Sequence, residues 1–215
     1  MLQFLVSTLI VAFVICANEL ATRKKIVTGE LARKIPHITL SLAFAFVPFF
    51  VGLNGVAILA AIDVLIVATV PKFNWFPSSR EIDRVTYGDY FFLFGTITAA
   101  LLTDSRWIFA AGILTLGLAD AAAALIGKKY GKHQFQIFKN KKSLEGSLAF
   151  YVVGLVVIGW LFLYSPALLD QNWVVILLLP LAAAFVEAMA PFGVDNLLIP
   201  GFVVWAVMQS VLVLA

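Results

Sequence analysis

Apolar residues in this chain come in long continuous runs, and that pattern decides most of what it can fold into. Eight runs stand out, at about 2–18, 36–52, 54–70, 86–102, 107–126, 147–164, 173–190 and 197–214. Each is close to the length a helix needs to cross the hydrocarbon core of a bilayer. None alternates apolar and polar residues in the manner of a transmembrane barrel strand. Lipid offers no partner to backbone polar groups, so helices are the remaining way to span it. A soluble domain is excluded on related grounds. With 62% hydrophobic residues among 215 and a mean hydropathy of +1.02, it would expose far too much apolar surface. The expected fold is an all-α polytopic membrane protein of about eight transmembrane helices, seven to nine, forming one integral membrane domain over residues 1–215. Only Gly52-Leu53-Asn54 separates the second and third runs, which predicts a tight helical hairpin there.

Charge between the runs sets the expected orientation. The first loop holds Arg23, Lys24, Lys25, Arg33 and Lys34, the third Lys72, Arg80 and Arg84, and the fifth Lys128, Lys129, Lys132, Lys139, Lys141 and Lys142. These are 14 of the 15 basic residues, Arg106 in the fourth loop being the exception. Loops rich in lysine and arginine stay cytoplasmic, so the odd-numbered loops are expected inside and both termini outside. The expectation is a multi-pass protein of the cell membrane with its chemistry facing the cytoplasm. The first run is not read as a cleaved signal, because its basic residues follow the apolar stretch instead of preceding it. The single cysteine, Cys16, rules out a disulfide within the chain.

Against this background a few polar residues are out of place. Asp120 lies inside the fifth run, and Gly127 and Gly131 follow at helical spacing. A basic loop then ends in Lys141-Lys142-Ser143-Leu144-Glu145-Gly146. Helix packing alone would account for the small residues, and orientation alone for the lysines. Neither accounts for a carboxylate inside the membrane, where acids usually mark function. Carboxylates hold divalent cations, and lysines and free amides hold phosphate. Ser143 fits a helix N-cap and Glu145 the first turn, which is also an anion-binding position. A second acidic element contains Glu187 near the end of the seventh run and Asp195-Asn196 after Pro191 and Gly193. Helix capping is the alternative for Asp195 and Asn196. His37 follows Arg33-Lys34-Ile35-Pro36, where Pro36 suits the first position of a helix. Asp89 enters the fourth run. It is either a base or an interfacial partner of Arg84. Asp63 is mid-run and the sequence does not choose a role for it. His133 reads as a solvated loop residue.

The Asp-Ala-x-Ala, Gly-x-x-x-Gly and Lys-Ser-x-Glu-Gly-Ser elements of residues 120–147 resemble the dolichol kinase and phytol kinase family, the CTP-dependent lipid-alcohol kinases. The Arg-Lys-x-x-His of residues 33–37 and the Asp-Asn-x-x-x-Pro of residues 195–200 are similar to that family as well. A related pattern occurs in phosphatidate cytidylyltransferases, with Ser-Pro before the two lysines and more glycines after Glu-Gly. Here Lys139-Asn140 precedes and Ser147-Leu148-Ala149 follows, which favours the kinases.

The resemblance implies transfer of the terminal phosphate of CTP to a polyprenol, dolichol, phytol or diacylglycerol hydroxyl. It implies Mg2+ on Asp120, Glu187 and, less directly, Asp195. Nucleotide phosphates would lie at Gly127, Lys128, Gly131, Lys132, Lys141, Lys142, Ser143, Glu145 and Gly146. Asp89 or His37 would accept the hydroxyl proton while Asp120 serves catalysis through the metal. The implied partners are a lipid alcohol, a nucleotide and the bilayer, with no nucleic acid. No Walker-type loop, protein-kinase signature or zinc-spaced cluster offers another phosphate site. A cytidylyltransferase would use nearly the same groups. A transporter would spread polar groups through the membrane's depth, whereas here they gather on one side.

Overall fold

In the computed structural model, which describes residues 1–73, 87–137, 140–164, 173–191 and 193–214, the eight runs become eight helices among the described residues. They are α1 (Leu2–Arg23), α2 (Gly29–Phe46), α3 (Pro48–Phe73), α4 (Gly88–Leu102), α5 (Arg106–Tyr130), α6 (Leu144–Tyr164), α7 (Trp173–Met189) and α8 (Asp195–Leu214). By length and composition Leu2–Arg23, Pro48–Thr69, Arg106–Tyr130 and Leu144–Tyr164 can cross a membrane, and Gly88–Leu102 and Trp173–Met189 are shorter apolar helices. The polytopic helical architecture therefore stands.

The all-α class stands, with one short addition that the sequence did not suggest. Residues Gln134–Ile137 (β1) and Asn140–Ser143 (β2) pair as an antiparallel hairpin in the fifth loop, with Phe135 opposite Lys142 and Gln134 opposite Ser143. Polar and apolar residues alternate in β1, as a half-exposed strand requires. One boundary also shifts. Helix α2 starts at Gly29, so Pro36 lies inside it instead of at its first position. Pro36 lacks an N–H, which frees the carbonyl one turn earlier and loosens the helix there. The break between the second and third runs falls where Gly52-Leu53-Asn54 predicts it: Val47 keeps helical φ and ψ, and the chain leaves the helix at Gly52, with φ 71° and ψ 172°. That conformation suits glycine alone.

Helix α5 is the axis of the bundle. Of its most apolar window 78% is buried, against 11% for that of α1, which packs on α2 and α3 and leaves Leu5, Leu9 and Phe13 exposed as a lipid-facing helix should. Helix α8 lies between α4 and α5. A Cβ on Gly95 would come within 2.3 Å of the Asn196 carbonyl, and one on Gly112 within 2.9 Å of the Pro200 carbonyl, so only glycine permits this approach. Phe44, Phe109, Ile113, Leu116, Phe150 and Ile199 fill the space between the helices.

Candidate active site

The wide π-helical turn Thr115–Ala119 inside α5 comes immediately before Asp120. Such a turn adds one residue to the helical cycle and re-aims the side chains beyond it. It is accommodated where Gly117 meets α2: a Cβ there would lie 2.2 Å from Ser41 Cβ. Asp120 consequently faces α2, where Lys34 Nζ lies 2.5 Å from its Oδ2. Both side chains are almost fully buried, 5% and 4% exposed. An ion pair at that depth persists only while both partners are present. Losing one leaves a bare buried charge, at a cost of about 3–5 kcal/mol.

Glu187, at the end of α7, is buried and accepts a hydrogen bond from Lys142 of β2. Burial opposes the Lys142 charge, but the Glu187 carboxylate and its hydrogen bond more than offset that, so the pKa stands above the ordinary lysine value. Asp195 begins α8, after the chain is turned by Gly193 at φ 86°. One oxygen each from Asp120, Glu187 and Asp195 lie within 4.8 Å of one another. Three carboxylates and two ammonium groups thus meet at one end of the bundle. Oxygen-only donors at this spacing fit a hard divalent cation of the magnesium class.

His37 is one turn after Lys34 on α2. Its ring meets Phe92 edge-on at 5.5 Å, and its Nδ1 is buried with no partner among the described residues. Asn196 Nδ2 donates to the Gly88 carbonyl at 3.0 Å and lies 3.5 Å from His37 Nε2, too far to fix the ring's tautomer. Asn196 therefore ties the starts of α8 and α4 beside the carboxylates, a role beyond capping. Asp89 is not drawn in. It is exposed on the first turn of α4 and outside the three-carboxylate cluster, while Arg84 lies outside the described residues.

The glycines pack helix against helix. A Cβ on Gly127 would meet Ser143 Oγ at 3.0 Å, one on Gly131 would meet it at 2.7 Å, and one on Gly146 would meet the Ala123 carbonyl at 2.8 Å. Gly127, Gly131 and Gly146 thus bring α5 against the start of α6 and fix where the hairpin leaves. Ser143 caps α6 as expected, accepting from the Gly146 amide at 3.1 Å. Glu145, in the first turn of α6 and ahead of the apolar run at about 147–164, anchors the hairpin. It accepts from the His133 amide at 3.2 Å and meets His133 Nδ1 at 2.8 Å. His133 is thus a partner of Glu145 and not merely solvated. Its own amide and the contacts to His133 hold the Glu145 carboxyl down at about 2. Lys128 approaches Glu30 at 3.9 Å, and Lys128, Lys132 and Lys141 are all exposed. Among the described lysines of this loop, Lys142 is the one seen to reach the carboxylates.

Lys34 is the residue sequence reasoning left aside. Five basic residues crowd the first loop, and nothing in their composition separates a buried lysine from those that set orientation. The signal was its place one turn before His37.

Neither a protein-family profile nor a solved structure matches the chain. Among curated proteins it is 31% identical over 208 residues to the phytol kinase of Synechocystis sp., covering 90% of this chain and 86% of that protein. It is 30% identical over 196 residues to CTP-dependent diacylglycerol kinase 1 of Schizosaccharomyces pombe, covering 80% of this chain and 88% of that protein. Similarity to the dolichol kinase of Saccharomyces cerevisiae is 32% over 114 residues, which is 52% of this chain and 21% of that protein.

Proposed function

The chain belongs to the family of lipid kinases that includes phytol kinase, dolichol kinase and CTP-dependent diacylglycerol kinase, and we propose that it transfers the terminal phosphate of CTP to the hydroxyl of a long-chain lipid alcohol. The observation that carries the residue roles is the convergence of Asp120, Glu187 and Asp195, within 4.8 Å, beside Lys34 and Lys142.

Phosphoryl transfer needs charge neutralisation and alignment more than covalent help. Asp120, Glu187 and Asp195 hold Mg2+, which when bound neutralises phosphate charge. Lys142 contacts phosphate from β2, and the Ser143–Gly146 turn, whose Gly146 amide is taken by Ser143 and whose Glu145 anchors the hairpin, fixes where β2 meets α6. Lys128, Lys132 and Lys141 add long-range attraction from the surface. The lipid hydroxyl is held beside His37, and its oxygen bonds to the terminal phosphorus as the bond from that phosphorus to the bridging oxygen breaks. CDP leaves with that electron pair. The hydroxyl proton passes to the His37 imidazole, whose Nδ1 is left without a partner among the described residues. Asp89, exposed on the first turn of α4, is the alternative acceptor.

All eight helices cross the cell membrane in this reading, with the hairpin and the carboxylates on the cytoplasmic side, where CTP is made. Purified protein incubated with γ-labelled CTP or ATP and a panel of lipid alcohols tests it. The expected products are a labelled lipid phosphate and CDP. Release of pyrophosphate from a lipid phosphate acceptor would instead identify a cytidylyltransferase, and no labelled lipid from any alcohol would sink the kinase reading.

A further inference from the structure

Two of the three carboxylates are already occupied by cations of the protein itself. Lys34 stands on Asp120 at 2.5 Å, and Lys142 on Glu187. Lys34 is buried, so its ammonium has no water to turn to if Asp120 takes another partner. A divalent cation arriving alone must displace both lysines and strand a buried charge. A cation arriving with nucleotide brings phosphates, which are new partners for the ammonium groups it displaces. We infer that Lys34 and Lys142 exchange carboxylates for nucleotide phosphates, so that the metal enters bound to the nucleotide and not ahead of it. This rests on the three carboxylates holding metal. It gives Lys34 two roles: a stand-in cation before binding and a phosphate contact after it. No covalent bond changes in the exchange.

Two binding measurements on the full chain in detergent, without a lipid acceptor, test it. One follows free Mn2+ by electron paramagnetic resonance with no nucleotide present. The other measures retention of radiolabelled CTP at saturating Mn2+. Lys34→Met removes the competitor, so Mn2+ alone should bind about tenfold tighter than in wild type. The same change removes a charge-assisted phosphate contact, so CTP should bind about 10- to 150-fold more weakly. The two affinities must move in opposite directions. A variant that weakens both, or leaves both unchanged, overturns the inference and returns Lys34 to holding Asp120 in place. Lys142→Met, whose amine is less buried, must show the same crossing and serves if Lys34→Met does not fold. If wild-type CTP retention does not depend on Mn2+, the metal assignment fails and the exchange with it. If the dependence is present without the crossing, only the exchange fails.

Discussion

Lys142 in the hairpin and Glu187 at the end of α7, 45 residues apart in sequence, are joined by a side-chain hydrogen bond, while the adjacent Lys141 is exposed. Strand alternation separates the two lysines: successive side chains of β2 point to opposite faces, so only one of them can turn to the bundle. Sequence alone treats them as a pair. The structure makes their loss unequal. Lys142→Met should lower CTP affinity about 10- to 150-fold, the value of one charge-assisted contact, and Lys141→Met by less than about threefold. Equal losses, measured by binding of labelled CTP, would mean that both act through bulk charge.

Asp120 and Lys34 predict a separation of stability from turnover. Asp120→Asn keeps the shape but removes the charge, and turnover should fall by about 10²- to 10³-fold, as when a transition-state electrostatic group is lost. It also leaves Lys34 unpaired, so thermal stability should drop. Adding Lys34→Met removes that unpaired charge and should recover most of the lost stability, because neighbours in one buried pair are not additive. Activity should stay low in the double variant. Thermal melts and turnover on the four members of the cycle check this. A fully active Asp120→Asn enzyme would reduce Asp120 to helix packing.

His37 and Asp89 compete for the hydroxyl proton, and their surroundings differ. His37 is beside the carboxylates with an unpartnered Nδ1, whereas Asp89 is exposed at the start of α4. His37→Gln should reduce turnover by about 10²- to 10⁴-fold, the usual contribution of a positioned base, with CTP affinity unchanged. Asp89→Asn should change turnover by less than about tenfold. The reverse ranking in steady-state kinetics would move the base to α4.

Asp120 and Glu187 were legible because an acid inside an apolar run has few bland explanations; Asp195, which could equally cap a helix, rested on the family resemblance, and the three do come together. Lys34 was hidden because a buried lysine and an orienting lysine look alike in composition. The start of α2 was misplaced because Pro36 imitates a helix start, whereas packing against α5 carries the helix through it to Gly29. The hairpin escaped because strands of four residues are too short for their alternation to stand out in a loop rich in charge. The π turn before Asp120 left no sequence mark beyond Gly117, whose role depends on Ser41 across the helix contact.

Orientation is open to direct test at two exposed positions on opposite ends of the bundle. Asp104 follows the end of α4, and Gln136 is in β1 beside the carboxylate end. With Cys16 replaced by alanine, single cysteines at 104 and 136 should react differently with a membrane-impermeant maleimide in intact cells. Position 104 should label readily and position 136 only after the membrane is opened. The opposite pattern would place the site away from cytoplasmic CTP.

Glu145 supplies a pH dependence with a definite sign. Its own amide, with the His133 ring and amide, holds the carboxyl at about 2, against 4.5 for an ordinary glutamate. A group whose pKa is lower in the folded state stabilises that state when ionised. The tie between Glu145 and the hairpin should therefore be complete above about pH 4.5, weaken as pH falls, and be lost below about 2. A spin label at position 136, on the Cys16-free background, reports hairpin order. Its mobility should rise as pH is lowered through that window and recover on return to neutral pH. Other carboxylates titrate over the same range, so the decisive quantity is the difference from Glu145→Gln, which cannot ionise. That variant should show a mobile label at every pH, and its CTP affinity should be reduced at neutral pH because Lys142 is carried by the same hairpin. A label equally ordered in both proteins at neutral pH would show that the β1–β2 ladder alone positions Lys142, and that the contact between His133 and Glu145 adds nothing to the site.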